Sequence, residues 1–490
     1  MVKARLALIP YPNSVEYTGG SIPAVSIDPE GASVTLCGLQ DFAEDTAAEA
    51  YILHIGAEEI KIIAPQKIGV FYAKQTLQQL REAGGDVPCC KIFDQPRFAH
   101  RGFMLDVARH MTTIENTKKL IDALARMKMN VLHWHLTDDQ GWRVPVEKYP
   151  RLIEVGSVRA RSHFGQQKVD EPYGGFYTHD ELREIVAYAS ARHITVIPEL
   201  DIPGHMTCAI AAYPQFSCTE EQLEVGDHEG VYEDILCVGK DEVMQFVYDV
   251  LDAFCDIFPG EYFHIGGDEA PKKRWKACPH CQQRMKDNDL QNEEQLQGWF
   301  NKQVAAHLAQ RGKKTVVWNE ALKSGQMGDE VIAQSWFDPG RHAIRFANRG
   351  HAVIMSDNGS NYLDYPYGRI PLKKIYKYNP FRFGLTRKGR QSVLGVEAPS
   401  WAEYMRDFDR VCYMTFPRLC AVAENGWTRK KNYKDFRARA EQFVPQLVAL
   451  GIYPALPGIW DPSPKTRAQE TIDQAKGLYH TAMMMRHDEA

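Results

Sequence analysis

From about residue 100 onward the chain alternates short runs that are apolar nearly throughout with longer stretches whose apolar positions recur every three or four residues. The short runs fall at 102–107, 130–136, 195–201, 262–268, 315–320, 331–336, 351–356 and 394–401. Segments such as VLHWHL and TVIPEL lack a polar alternation, the pattern of strands covered on both faces. Between them, 114–127, 179–192, 242–257 and 293–310 carry the period of amphipathic helices. The interval after Glu320 is too short for a full helix, so that crossover is expected to be degenerate. Strands joined by crossover helices pair in parallel, and eight of them favour a closed (β/α)8 TIM barrel over an open sheet.

The first ninety-odd residues have a different texture. Short β-rich pieces at 24–27, 33–36, 51–55 and 59–63 precede a helical pattern over 72–80, and Gly84-Gly85 and Pro88 then punctuate it. The chain is therefore read as a small α+β domain at 1–95, the barrel at 96–432, and a charged helical segment at 433–490 that packs on the barrel.

Composition narrows the function classes. Hydrophobic residues are 44% of 490, enough for a large core, and a net charge of −5 leaves no basic footprint for nucleic acid or an anionic membrane surface. No apolar run approaches the ~18 residues of a membrane span. The start, MVKARLALIPYPNSVEYTGG, has no apolar stretch of a secretory signal before Pro10 and Pro12, so a cytoplasmic location is expected unless a leader was trimmed. Eleven scattered cysteines suit reduced thiols better than a disulfide framework, and the vicinal Cys89 and Cys90 are read as inert. Cys278-Pro-His-Cys281 has metal-ligand spacing but needs two more ligands, and no second CxxC follows. Its expected use is structural or incidental, with redox or zinc chemistry as the weaker alternative.

In barrels of this kind the reactive groups sit at the C-terminal ends of the strands. Those ends carry Asp106 and Arg109, Asp138-Asp139, Glu199 to His205, Asp268-Glu269, Trp318 to Glu320, Trp336, Asp357, and Glu397 to Glu403. Each acid alone reads equally well as a cap or an ion-pair partner. The sharpest element is His264-Ile265-Gly266-Gly267-Asp268-Glu269, where two glycines permit close backbone approach and two adjacent carboxyl groups discourage joint ionisation. One raised carboxyl pKa is what a general acid near neutral pH requires. Trp318, Trp336 and Trp401 stand at three strand ends, with Tyr362 nearby, and such faces stack on sugar rings as readily as they fill cores.

These stretches resemble the β-N-acetylhexosaminidases of glycoside hydrolase family twenty. The likeness runs from about residue 9 to 427 through LIPYPNSVEYTGG, GVFYAKQTLQQL, DQPRFAHRGFMLDVARH, MNVLHWHLTDDQGWR, IPELDIPGH, FHIGGDEA, VVWNE, GVEAPSWAEY and FPRLCAVAENGW. The resemblance implies that Glu269 is the general acid/base. Asp268 would orient the substrate's 2-acetamido group, whose oxygen is the nucleophile through an oxazolinium intermediate. It further implies that Arg109 and Glu403 grip the far hydroxyls and that Trp318, Trp336 and Trp401 enclose the ring. Tyr362 would bond the acetamido oxygen with Asp364 beside it, and Asp138 and His205 would form a relay to the acid. Asp201 and Glu397 match supporting positions less clearly. No cofactor and no metal are implied. The expected partner is a carbohydrate or glycoconjugate, and a homodimer is left open. The stretch 365–390, rich in Tyr and Lys, is a candidate for shaping the aglycone side. A retaining glycosidase with an enzyme carboxylate as nucleophile, and a sugar-binding barrel without catalysis, remain as competing readings.

Overall fold

The structure, a computed structural model, describes residues 5–39, 42–381, 383–470 and 472. The N-terminal part is a sheet of β1 (Ser14–Pro23), β2 (Ser33–Leu36), β3 (Tyr51–Ile55), β4 (Ile60–Ala64) and β5 (Asp86–Asp94), ordered β1-β5-β3-β4-β2. Along β3 the buried Tyr51, Leu53 and Ile55 alternate with half-buried residues, the period of a sheet covered on one face. Helix α1 (Lys67–Ala83) belongs to the same core, burying Tyr72, Ala73, Leu77 and Leu80.

The barrel follows in the order β6 (His100–Asp106), α2 (Ile114–Arg126), β7 (Val131–His135), α3 (His179–Ser190), β8 (Thr195–Glu199), α4 (Asp241–Ile257) and β9 (Tyr262–His264). It continues through α5 (Pro279–Asp287), α6 (Glu293–Gln310), β10 (Lys314–Trp318), β11 (Val331–Ser335), α7 (His342–Arg349), β12 (Val353–Met355) and β13 (Val393–Ser400). All eight strands pair in parallel and close β13 onto β6. The crossover helices start where their sequences supply caps: Thr113 accepts from the Asn116 amide ahead of α2, and Thr178 with Glu181 forms a capping box ahead of α3. Between β10 and β11 the chain makes only a 3-10 turn, Asn319–Ser324, which is the degenerate crossover expected from the short interval.

The barrel interior is not apolar, which the reading of VLHWHL as apolar throughout did not anticipate. Trp134 points outward to Tyr177 and Phe258, so period two turns His133 and His135 inward. Register sets Asp106 against His135, His135 against Glu199, and Glu199 against His264, a layer of charge across adjacent strands. Glu397 accepts from His100 Nε2 at 2.7 Å, His133 Nδ1 at 2.8 Å and Gln334 Nε2 at 2.7 Å. Glu199 is bonded to His135 and lies 3.1 Å from His133 Nε2 and 2.9 Å from His264 Nδ1. Burial alone would raise both carboxyl groups, but the surrounding imidazoles outweigh it and hold them well below the usual range. Burial likewise opposes charge on His133, yet Glu397 and Glu199 push it up to about 9.

The sheet domain meets the barrel through paired buried charges. Arg101 bonds Glu49 and the Tyr72 hydroxyl, and Lys128 Nζ reaches Tyr51 at 2.7 Å and Asp94 at 3.3 Å beneath Trp427. Helix α8 (Arg418–Trp427) packs on β13 and β6, and α9 (Tyr433–Ala449) then packs beside α1. Arg439 of α9 donates to both oxygens of Glu424 in α8, at 2.8 and 2.7 Å. Among the described residues no helix is long and apolar enough to cross a membrane. Cys89 and Cys90 are buried free thiols. Two further thiols, Cys218 and Cys237 from the loop after β8, converge on Cys278 and Cys281.

Candidate active site

The turn after β9 brings the acidic pair to the mouth of the barrel. Gly266 (φ +62°) and Gly267 (φ +94°) both take left-handed conformations. The Gly267 amide donates to Asp201 Oδ1 at 3.0 Å, and a Cβ on Gly266 would stand 1.7 Å from that oxygen, so the turn requires a residue without a side chain. Glu269 is itself left-handed at φ +42°, a strain of about 1–2 kcal/mol for a residue with a side chain.

Asp268 is buried, and its Oδ1 has no hydrogen-bond partner among the described residues. Burial first, and the neighbouring Asp201, push its carboxyl well above the usual range. Burial also raises Glu269, against the pull of His205. His205 Nε2 is 3.8 Å from Glu269 Oε2, and its Nδ1 is 3.2 Å from Asp138 Oδ1 and 3.3 Å from Asp139 Oδ2. Asp138 Oδ2 then receives Arg109 Nη2 at 2.7 Å and His135 Nε2 at 2.9 Å. The result is one line, Glu269–His205–Asp138–Arg109. Against burial, Asp138 and Asp201 hold the His205 imidazole charged well above its ordinary value, while Arg109 and His205 hold Asp138 ionised. Asp201, buried beside them, is pushed up to about 7.

Aromatic rings form an arc from the floor to the rim. Trp318 is fully buried, with Nε1 donating to Glu199 at 2.8 Å. Its ring centroid lies 6.0 Å from that of Trp401, Trp401 is 6.3 Å from Tyr362, and Tyr362 stacks on Trp336 at 6.2 Å. Burial first, and then Asp268, push the Tyr362 hydroxyl well above its ordinary value. Arg109 lies over the Trp401 ring at 5.2 Å, bonds Asp106 at 3.1 Å and Gln140 at 2.7 Å, and stands 3.9 Å from Glu403. Asp364 Oδ1 is buried without a partner among the described residues, and burial together with Glu403 pushes this carboxyl up to about 8.

All eleven residues singled out from the sequence thus border the mouth or the line beneath it. Trp318 stands apart as floor rather than wall. Sequence reasoning passed over His133, His135 and Gln140, and gave no role to Asn319, whose Oδ1 accepts the Trp336 amide at 2.9 Å. Two histidines two apart in one strand were the available signal for the first pair. The stretch 365–390 reaches the site through Tyr365. The pocket beside Glu269, of about 640 Å³, is lined by Gly267, Glu269 to Lys272, Asn319, Glu320, Lys323, Trp336 to Gly340 and His342, with Val231, Glu294 and Gln297. Beyond Tyr365, which stacks on Tyr362, two tyrosines turn to the barrel wall: the Tyr367 hydroxyl donates to the Tyr413 and Phe416 carbonyls and the Tyr376 hydroxyl to Glu424.

Comparison with known proteins bears on this geometry. A family model described as glycosyl hydrolase family 20, catalytic domain, matches residues 98–430, and one described as glycosyl hydrolase family 20, domain 2, matches residues 24–95. A β-hexosaminidase of Porphyromonas gingivalis is 41% identical over 472 residues, covering 91% of this chain, while the chain spans 60% of that relative's length. A crystal structure of a β-N-acetylhexosaminidase superposes with TM-score 0.82 at 33% identity, over 91% of this chain and 96% of that one. The exo β-N-acetylglucosaminidase of Vibrio harveyi in complex with N-acetylglucosamine gives TM-score 0.79 at 30% identity, over 92% and 78%. With the family's catalytic model matching most of its length and the accompanying domain in place before it, the chain belongs to glycosyl hydrolase family 20.

Proposed function

We propose that the chain is an exo-acting, retaining β-N-acetylhexosaminidase that removes terminal GlcNAc from β-linked glycans, with GalNAc as the second sugar to be tested. The observation that carries this reading is the buried Asp268 Oδ1, which has no hydrogen-bond partner among the described residues and whose carboxyl clusters with Glu269 and His205 within 4.8 Å at the barrel mouth. A buried acceptor without a partner costs about 1–3 kcal/mol, and a substrate N–H that donates to it recovers that cost.

The sugar's acetamido oxygen attacks the anomeric carbon while the glycosidic C–O bond breaks, and the Glu269 proton passes to the leaving oxygen. Both carboxyl groups are raised in the free site. An acetamide N–H donating to Asp268 favours its ionised form and leaves the proton on Glu269. The oxazolinium cation then lies against the Asp268 carboxylate. Water that gives a proton to Glu269 attacks the same carbon, the oxazoline C–O bond opens, and two inversions retain configuration. Caging the acetamide beneath C1 is worth about 7–11 kcal/mol in effective concentration. His205, charged between Glu269 and Asp138, stabilises the Glu269 carboxylate once its proton has left.

Nitrophenyl β-glycosides of GlcNAc and GalNAc test the activity, and a thiazoline mimic of the bicyclic intermediate tests the nucleophile. Strong thiazoline inhibition supports the reading. A 2-fluoro sugar that traps a carboxylate adduct, without thiazoline inhibition, overturns it in favour of an enzyme nucleophile.

A further inference from the structure

Away from the catalytic mouth, four thiols from two separate loops meet. Cys218 follows the 3-10 turn Pro214–Phe216. Cys237 is held beside it by the Ser217–Leu236 bridge and by its own amide, which donates to the Phe216 carbonyl at 2.8 Å. Cys278 caps α5, and Cys281 lies in that helix's first turn. The Sγ–Sγ distances are 3.5 Å for Cys237–Cys278, 3.7 Å for Cys237–Cys281 and 3.8 Å for Cys218–Cys281, with all four sulfurs within 4.8 Å of one another.

These lengths discriminate. A disulfide needs about 2.05 Å. A tetrahedron with Zn–S bonds of about 2.3 Å has edges of about 3.8 Å. The backbone is shaped around the same point. A Cβ on Gly239 would meet the Cys281 nitrogen and the His280 carbonyl carbon, both at 2.3 Å, so the Cys237 loop lies against the Cys278–Cys281 turn at a distance only glycine allows. Lys240 Nζ donates to the Gln215 and Ser217 carbonyls, at 2.7 and 3.0 Å, and so fixes the segment bearing Cys218. The same Nζ pairs with Glu220 Oε1 at 2.7 Å, tying the segment just after Cys218 to this loop as well.

We propose that Cys218, Cys237, Cys278 and Cys281 form a structural zinc site. The set offers four sulfurs and leaves no open coordination position, the pattern of a structural rather than a catalytic zinc. One loop descends from Asp201 and His205 after β8, and the other from Asp268 and Glu269 after β9. The ion therefore staples together the two segments that carry Glu269 and His205, neighbours 3.8 Å apart in that line. It takes no part in the chemistry.

Full-length protein produced with zinc available and purified without chelator is expected to carry one zinc per chain by elemental analysis. A mercurial should release that zinc as four thiols are titrated. Cobalt exchanged into the site should give the thiolate charge-transfer and tetrahedral d–d bands of a CoS4 centre. Cys237→Ser and Cys281→Ser should lose the metal, whereas Cys412→Ser, at a buried cysteine elsewhere, should keep it. Wild-type protein that holds no zinc and takes up none, that holds stoichiometric iron instead, or in which mass spectrometry finds these four cysteines in disulfides, would overturn the proposal. The wild-type measurement stands whether or not the serine variants fold.

Discussion

Gly266→Ala isolates the part that backbone shape plays at the acidic turn. The added methyl would lie 1.7 Å from Asp201 Oδ1, 2.1 Å from its Cγ and 2.7 Å from its Cα, so rotating the Asp201 side chain does not relieve the overlap. Left-handed backbone costs alanine about 1–2 kcal/mol, and overpacking a tight site about 1–3. Parting Gly267 from Asp201 removes a hydrogen bond worth about 0.5–3 kcal/mol, depending on the charge of Asp201. The sum, roughly 2–8 kcal/mol, exceeds what the turn can absorb in place, so the turn moves and carries Asp268 and Glu269 with it. A displacement of about 1 Å at reacting groups costs on the order of 100-fold. The assay is kcat/KM on nitrophenyl β-GlcNAc with a melting curve on the same sample. Gly267→Ala is the control: its nearest contact would be 3.4 Å away, at Ala321 Cβ, which leaves backbone strain without a clash. The expected order is a loss of at least about 100-fold for Gly266→Ala and a clearly smaller one for Gly267→Ala. Equal losses, or a Gly266→Ala variant within about tenfold of wild type, would refute the steric argument.

Glu269→Gln should lower kcat by roughly 10²–10⁴-fold while a thiazoline still binds, checked by steady-state kinetics and calorimetry. Asp268→Asn should cost nearly as much in kcat and weaken the thiazoline as well, because the negative charge that would pair with the protonated ring nitrogen is lost. Glu269 must enter the reaction protonated and its carboxyl is raised, so kcat should fall as pH rises through that raised value, and Glu269→Gln should abolish this alkaline limb. His133 has a folded-state value of about 9 against 6.5 ordinarily. Its stabilising contribution is therefore full below about pH 6.5 and disappears as pH rises through about 9. His133→Gln should melt lower than wild type at pH 6 and show a flatter decline between pH 7 and 9.5.

The fold was legible because its signals are local. Apolar runs alternated with helical periods, and the short interval after Glu320 forecast the 3-10 turn. The acidic pair was legible because two glycines before two carboxyl groups have few other uses. What escaped were features that depend on register. VLHWHL scores as an apolar strand, yet the pleat that sends Trp134 outward sends His133 and His135 inward, and only the pairing of β7 with β8 brings Glu199 to them. The thiol cluster escaped for a similar reason. Cys218 and Cys237 lie far from Cys278 in sequence, and their approach depends on a close backbone contact at Gly239.

The line from Arg109 to Glu269 links two ends of a sugar that ordinary binding would treat separately. Under the proposed reaction, hydroxyls on the distant rim of the pyranose share the guanidinium that already neutralises Asp138. Drawing on that guanidinium leaves Asp138 more negative, which tightens the histidine's proton and changes the field felt by the acid. A deoxy sugar that fails to engage Arg109 should therefore lose turnover as well as affinity, since contacts remote from the breaking bond also prepare it.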